Sequence, residues 1–229
     1  MRVGAVLALA VMSIAGGTPA AGDPSQSGTV TAFYHDPSLP QRENRPSAFM
    51  RIYGSAQPPY GFVRFCEKNP KHCAEQPRVP EARITATPER LIELDEVNRY
   101  VNETIKPVTD QEYYGVTEYW TIPDKYGDCE DYALLKRKIL IERGWPASAL
   151  LLTVVRDEYG DGHAVLTART SQGDYILDNK VADVRIWGST PYQYVMRQSY
   201  VNPRVWVSLE ERLVDQPLVM SGAPSAERD

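Results

Sequence analysis

Three side chains with complementary chemistry lie in the second half of the chain: Cys129, His163 and Asp178. Cys129 falls in the first turn of a predicted helix, where unpaired N–H groups and the helix dipole favour a thiolate. His163 opens a predicted strand and carries an imidazole, which is suited to take a thiol proton near neutral pH. Asp178, on the next predicted strand, can hold that imidazole in one orientation. The residue types therefore predict a nucleophile, a base and an orienting acid that the fold must bring together.

Each of these residues also has a structural interpretation. A free cysteine is commonly a small core residue, and a histidine and an aspartate can both lie at surface turns. The remaining histidines are poorer candidates for a base, because His35 lies in a predicted flexible arm and His72 lies between two other cysteines. The sequence favours His163 as the base.

The acids around the cysteine create an electrostatic problem. Asp128, Glu130 and Asp131 surround the thiol, and like charge raises a thiol pKa. A calcium ion, which accepts about six to eight oxygen ligands, would remove the conflict. In the alternative interpretation, the acids only cap and solubilise the helix start. The pattern lacks the alternating acids and central glycine of an EF-hand loop.

Patterning predicts the elements that must position these residues. A helix is expected over 128–143, with Gly144 as its C-terminal stop. An earlier amphipathic helix begins at Thr87-Pro88 and ends before Pro107. Strands are expected at 150–156, 163–169, 175–179, 184–187 and 204–209. Their short connections require antiparallel pairing, so the fold class is α+β.

The chain start predicts export. Arg2 and the apolar run 3–15, followed by small residues, are typical of a signal peptide and too short to span a bilayer. The alternative is a buried N-terminal helix. The predicted organisation is a signal peptide at 1–21, a flexible arm at 22–45, one catalytic domain at 46–212 and a frayed tail at 213–229. The mature protein is expected in the periplasm or secreted.

Export changes the interpretation of Cys66 and Cys73, which lie in the segment FCEKNPKHC. Disulfides persist outside the cytosol, and a short loop brings two Cα atoms within bonding range. We predict a disulfide worth about 2 kcal/mol. A metal site with His72 is the weaker alternative, because no second cluster completes a tetrahedron.

The composition excludes several classes of protein. The 229 residues carry a net charge of −5 and are 42% hydrophobic, which fits a globular domain and not a disordered chain. The acidic balance argues against a nucleic-acid partner. A mean hydropathy of −0.41 excludes a polytopic membrane protein.

Three segments resemble the bacterial transglutaminase-like cysteine peptidases: GDCEDYALLKRKILIERGW, the GHAVL strand and the DYILDN strand. The upstream YW-x-x-P and GFVRFC segments are also similar to exported members, and the likeness covers roughly residues 58–206. The resemblance implies a papain-like or transglutaminase-like fold, with a nucleophile helix packed on an antiparallel sheet. It also implies that Cys129, His163 and Asp178 act as nucleophile, general base and orienting acid.

One branch of this family releases cell-surface adhesins under the control of a membrane receptor. Members of that branch bind calcium through acids flanking the cysteine, which match Asp128 and Glu130; Asp131 is a weaker candidate. The oxyanion donor of papain, a glutamine just upstream of the cysteine, has no counterpart here. The Cys129 backbone N–H is therefore the one assigned donor. The Trp120 indole is a further candidate, although core packing is the simpler interpretation of that side chain.

The sequence as a whole predicts an exported, calcium-dependent cysteine peptidase that cleaves a protein, such as a surface adhesin, through an acyl-enzyme. An inner-membrane receptor is a predicted partner. Release of the same intermediate by a lysine amine would give transglutamination, which the sequence leaves open. A non-catalytic binding domain on the same scaffold is the third interpretation.

Overall fold

An antiparallel sheet of seven strands organises the residues that the computed structural model describes, 47–75 and 83–211. Each adjacent pair in this sheet is antiparallel, as the short connections predicted. In spatial order the strands are β1 (Gly54–Ala56), β9 (Trp206–Ser208), β8 (Gln193–Gln198), β4 (Leu150–Arg156), β5 (Gly162–Thr170), β6 (Gly173–Leu177) and β7 (Arg185–Ile186). Separately, the short strands β2 (Lys106–Pro107) and β3 (Tyr126–Gly127) pair in parallel.

Four α-helices accompany the sheet in the described residues: α1 (Tyr60–Lys68), α2 (Pro88–Thr104), α3 (Asp110–Tyr113) and α4 (Cys129–Glu142). Helix α2 begins where the Thr-Pro signal predicted, and the Thr87 hydroxyl accepts a hydrogen bond from the Arg90 backbone N–H. Its apolar positions Val97 and Val101 are buried against the core. No helix in the described part is long and apolar enough to cross a membrane.

Helix α4 matches its predicted bounds within one residue. It ends at Glu142, and Gly144 follows the C-cap with a φ of 88°, which is readily available only to glycine. Its residues Leu134 and Leu140 are buried in the main core, together with Leu152 of β4 and Leu166 of β5. Burial of each such side chain contributes about 1.5–3 kcal/mol. The helix is thus fixed on one face of the central strands.

Two basic residues near the middle of α4 lie inside the protein. Lys136 and Arg137 are both buried. The Arg137 guanidinium donates to the Leu150 carbonyl oxygen at 3.0 Å and to the His72 carbonyl oxygen at 3.4 Å. Arg137 therefore ties α4 to the start of β4 and to the cysteine loop.

Cys66 and Cys73 form the predicted disulfide, with their Cα atoms 5.6 Å apart. This bond closes the C-terminal end of α1 onto the short 3-10 turn that follows it, which removes the metal-site alternative for the pair. The predicted signal peptide at 1–21, arm at 22–45 and tail at 213–229 lie outside the described residues.

The pairing of β5 with β6 stops short of the N-terminal end of β5. The two strands pair from Thr170↔Gly173 to Leu166↔Leu177 and then separate. The predicted strand at 175–179 therefore ends early, and Asp178 lies just beyond it. Residues 162–165 of β5 remain paired with β4 alone, so one edge of β5 is open at this end of the sheet.

Candidate active site

The N-terminus of α4 meets the open edge of β5. The Ala164 backbone N–H lies near the Cys129 sulfur and lowers the pKa of the thiol, and Ala164 directly follows His163 in β5. The thiol itself donates to Glu130 Oε2 at 3.0 Å. The residue as a whole is partly buried. The sheet edge thus brings the predicted nucleophile beside the strand that carries the predicted base.

His163 and Asp178 are hydrogen bonded across the gap between β5 and β6. His163 Nε2 lies 2.9 Å from Asp178 Oδ1, and both side chains are buried. The Lys180 backbone N–H also donates to Oδ1 at 2.9 Å, and the Tyr192 hydroxyl donates to Oδ2. Burial raises the pKa of Asp178, but the hydrogen bonds from His163 and Tyr192 outweigh it and lower the pKa. Asp178 is therefore ionised at neutral pH.

Helix α2 holds the loop that carries Asp178. Asn102 Nδ2 donates to the Asp178 carbonyl oxygen at 2.8 Å. Asn98 Nδ2 donates to the carbonyl oxygens of Val181 and Ala182, each at 2.9 Å. These asparagines lie beside the apolar positions of α2, and their role was not visible in the helical pattern.

An ion pair links the same loop to the β4–β5 hairpin. Lys180 Nζ lies 2.7 Å from Asp157 Oδ2. Asp157 also accepts the backbone N–H groups of Tyr159 and Asp161 within the hairpin. The segment preceding His163 and the segment following Asp178 are thereby joined.

Three carboxylates lie together on the other side of the sulfur. One oxygen from each of Asp110, Asp128 and Glu130 can be chosen so that all three lie within 4.8 Å of one another. Asp110 and Glu130 are buried, and one oxygen of Asp128 is buried without a hydrogen-bond partner. We call these residues the acid group, and it could hold a metal ion.

Asp110 is a member of the acid group that the sequence analysis missed. It is the first residue of α3, a helix set by a capping box between Thr109 and Glu112. Its carboxylate accepts the Tyr119 backbone N–H, and its own backbone N–H donates to Asp128 Oδ2 at 3.3 Å. The T-x-x-E signal at 109–112 could have located the helix, but not its contact with Asp128.

Asp131 is outside the acid group. One of its carboxylate oxygens accepts the Thr121 backbone N–H at 2.8 Å, and burial raises its pKa to about 8. Asp128 occupies the N-cap position of α4, but its side chain makes no capping hydrogen bond. The burial of Glu130 and Asp131 argues against the interpretation that these acids only cap and solubilise the helix.

The charges of the acid group bear directly on the thiol. Burial, followed by the charges of Glu130 and Asp128, raises the pKa of Cys129 well above its usual range. Burial and the charge of Asp110 raise the pKa of Asp128 to about 6. Burial also raises the pKa of Glu118 to about 7, with added repulsion from Asp128 and Asp110. The like-charge conflict expected from the sequence is present in the fold.

Trp120 belongs to the core and not to the cleft surface. The ring is 3% exposed and packs edge-on against Phe62. Its indole N–H donates to Glu118 Oε2 at 2.9 Å. The indole is therefore already engaged and does not serve as a free oxyanion donor in this structure.

A family model described as bacterial transglutaminase-like cysteine proteinase matches residues 52–213. That span includes both halves of the site and most of the chain. The chain belongs to this family. It is therefore a cysteine peptidase, and the transglutaminase-like fold with its antiparallel sheet is confirmed. The interpretation as a non-catalytic binding domain is set aside.

Among solved structures, the chain is similar to LapG from Legionella pneumophila in three forms. The calcium-bound form is 25% identical, with a TM-score of 0.45 over 54% of this chain and 71% of that chain. A second LapG structure is 26% identical, with a TM-score of 0.42 over 49% and 65%. The EGTA-treated form is 27% identical, with a TM-score of 0.42 over 49% and 64%. The comparison with curated proteins returned no match.

Proposed function

We propose that this transglutaminase-like peptidase cleaves a protein substrate with Cys129 as nucleophile, His163 as general base and Asp178 as orienting acid. The observation that carries the proposal is the buried His163–Asp178 hydrogen bond, adjacent to the Ala164 N–H that lies near the Cys129 sulfur. Asp178 engages Nε2 of the imidazole, so Nδ1 is the nitrogen left to exchange a proton with the thiol.

In the proposed reaction, His163 takes the thiol proton and the Cys129 sulfur bonds to the carbonyl carbon of the scissile peptide. The C–N bond then breaks, and the imidazolium returns its proton to the departing amine. Water attacks the thioester to release a carboxylic acid and the free thiol. The Cys129 backbone N–H lies at the N-terminus of α4, where the helix dipole is positive. There it would stabilise the negative charge that develops on the carbonyl oxygen of the substrate.

We further propose that Asp110, Asp128 and Glu130 bind calcium. Oxygens on opposite sides of a calcium ion lie about 4.6–5.2 Å apart, and the acid group fits that span. The buried Asp128 oxygen that has no hydrogen-bond partner would be available as a calcium ligand. Bound calcium would neutralise charge beside the thiol. Glu130, as a ligand, would then turn an oxygen away from the sulfur and leave the thiol proton to His163.

The proposed location is outside the cytosol. The signal-like N-terminus and the Cys66–Cys73 disulfide support export. Together with the family resemblance, export favours a cell-surface protein such as an adhesin as substrate, and an inner-membrane receptor as partner.

A comparison of surface proteomes tests the proposed function. Purified mature enzyme is incubated with surface proteins from the producing cells, and new N-termini are identified by mass spectrometry. We expect specific cleavage by the wild type in calcium, and none by Cys129→Ala. Omission of calcium, or addition of EGTA, should reduce the cleavage strongly.

Two controls make the result decisive. Cys129→Ala must keep the wild-type melting temperature, so that its inactivity reports loss of the thiol and not loss of the fold. An amine donor added in parallel reports acyl transfer by its incorporation into glutamine side chains. Cleavage retained by Cys129→Ala would refute the thiol mechanism, and calcium-independent cleavage would refute the proposed calcium role.

A further inference from the structure

Tyr192 contacts two members of the proposed triad but has no role in the reaction as described so far. It lies just before β8, in a segment that shows no strand or site signal in the sequence. Its hydroxyl donates to Asp178 Oδ2, the oxygen opposite the one that His163 engages. Its ring meets the imidazole edge-on, with the ring centroids 5.6 Å apart and the planes at 66°.

These contacts restrict both partners in complementary ways. The Lys180 N–H and the His163 ring occupy Asp178 Oδ1, so the bond from Tyr192 to Oδ2 fixes rotation of the carboxylate about its last torsion. The tyrosine ring limits tilt of the imidazole about the Nε2–Oδ1 axis. Asp178 and Tyr192 also line the same small hollow.

We propose that Tyr192 is a positioning residue of the peptidase: it fixes the Asp178 carboxylate and, through it, the orientation of the His163 imidazole. The inference rests on the proposed triad. It adds a fourth residue, which acts through Asp178. Loss of this hydrogen bond should lower kcat about tenfold, which corresponds to about 1.4 kcal/mol of activation free energy.

Tyr192→Phe tests the inference, with Tyr194→Phe as the matched control. Tyr194 is buried two residues further along, and its hydroxyl pairs with Thr190 Oγ1 at 2.9 Å. Both variants lose one hydrogen-bonded phenolic hydroxyl. The substrate is a fluorogenic peptide selected from a combinatorial library with the wild-type enzyme in calcium, and active sites are titrated with iodoacetamide. We expect Tyr192→Phe to lower kcat about tenfold with KM within twofold, and Tyr194→Phe to change neither by more than twofold.

The second readout is the His163 Nε2–H proton resonance in enzyme labelled with ¹⁵N-histidine. Tyr192→Phe should shift or broaden this resonance, and Tyr194→Phe should leave it unchanged. Replacement of Tyr192 by 3-fluorotyrosine keeps the ring and the hydroxyl but strengthens the donor. It should move the resonance upfield because Asp178 then accepts less strongly from His163. This isosteric variant gives an answer even if Tyr192→Phe folds poorly.

A wild-type kcat and an unchanged resonance in Tyr192→Phe would overturn the inference. So would a fall in thermal stability with normal kcat per titrated site, since that result identifies a merely structural tyrosine. The proposed function fails by a different result, retained cleavage by Cys129→Ala. An inactive Cys129→Ala together with a fully active Tyr192→Phe would therefore refute the role of Tyr192 alone.

Discussion

Replacement of Asp110 by asparagine should change stability in opposite directions with and without calcium. Asparagine keeps an oxygen that can accept the Tyr119 N–H, so the local hydrogen bond survives. The change removes one negative charge from a group whose oxygens lie within 4.8 Å of one another. Without calcium this relieves repulsion, and with calcium it removes a ligand.

The size of each effect follows from the geometry. Two unit charges about 5 Å apart repel by about 3 kcal/mol at an effective dielectric constant near 20. Partial protonation of the acid group reduces the relief to about 1 kcal/mol, which raises Tm by about 2–4 °C for a domain of this size. With calcium at 100 times the wild-type Kd, the wild type gains about 2.7 kcal/mol. If Asp110→Asn binds calcium with a tenfold higher Kd, the same calcium concentration stabilises it by about half as much.

The measurement is thermal unfolding of wild type and variant in EGTA and in calcium, with calorimetric titration for Kd. Asp124→Asn is the control, because Asp124 is exposed and lies outside the acid group yet gives the same change in net charge. We expect Asp110→Asn to melt above wild type in EGTA and to gain less from calcium. An Asp110→Asn variant that gains as much from calcium as wild type would refute Asp110 as a ligand.

Three further predictions concern the surroundings of the site. Gly127→Ala places a Cβ 2.7 Å from the Cβ of Asp131, so we expect a loss of about 1–3 kcal/mol in urea unfolding and slower alkylation of Cys129. Asp157→Asn weakens the pair with Lys180, whose side chain is 43% exposed, so denaturation should show a loss below about 1 kcal/mol. The pKa values of Glu118 and Asp131 are raised in the folded protein to about 7 and 8. Their protonated forms therefore stabilise the fold at low pH, and this contribution is lost as the pH rises through 7–8. Tm in EGTA should fall between pH 5 and 8.5, and a flat profile would contradict this.

The elements with strong local signals were predictable from the sequence. Strand β4 has the predicted bounds, and α4 is correct within one residue, because caps, glycine stops and turn chemistry are local features. Strand β8 was missed although it lies near the middle of the sheet. Both of its faces are covered, so buried Arg197 and Gln198 follow buried Val195 and Met196 without a polar and apolar alternation.

The candidate site was predictable only in part, because local sequence patterns do not show contacts that form across loops. His163 lies on β5 and Asp178 directly follows β6. These two strands are joined by a tight turn, so the proximity of the two residues follows from the hairpin. Asp110 and Tyr192 reach the site across irregular loops, where neither period nor spacing carries information. Helix α1 was also missed, because the cysteines of its segment were interpreted as a loop. The bond that was correctly predicted joins the end of this helix to the following turn.

Glu130 connects the two halves of the site. It belongs to the acid group, and it also accepts the hydrogen bond of the Cys129 thiol at 3.0 Å. Burial and the charges of Asp128 and Glu118 raise its pKa well above the usual range. A protonated Glu130 removes the charge but keeps an oxygen at the sulfur, whereas ligation of a cation removes both the charge and the contact. A change in what the acid group binds therefore alters the charge and the hydrogen bonding at Cys129, one residue away.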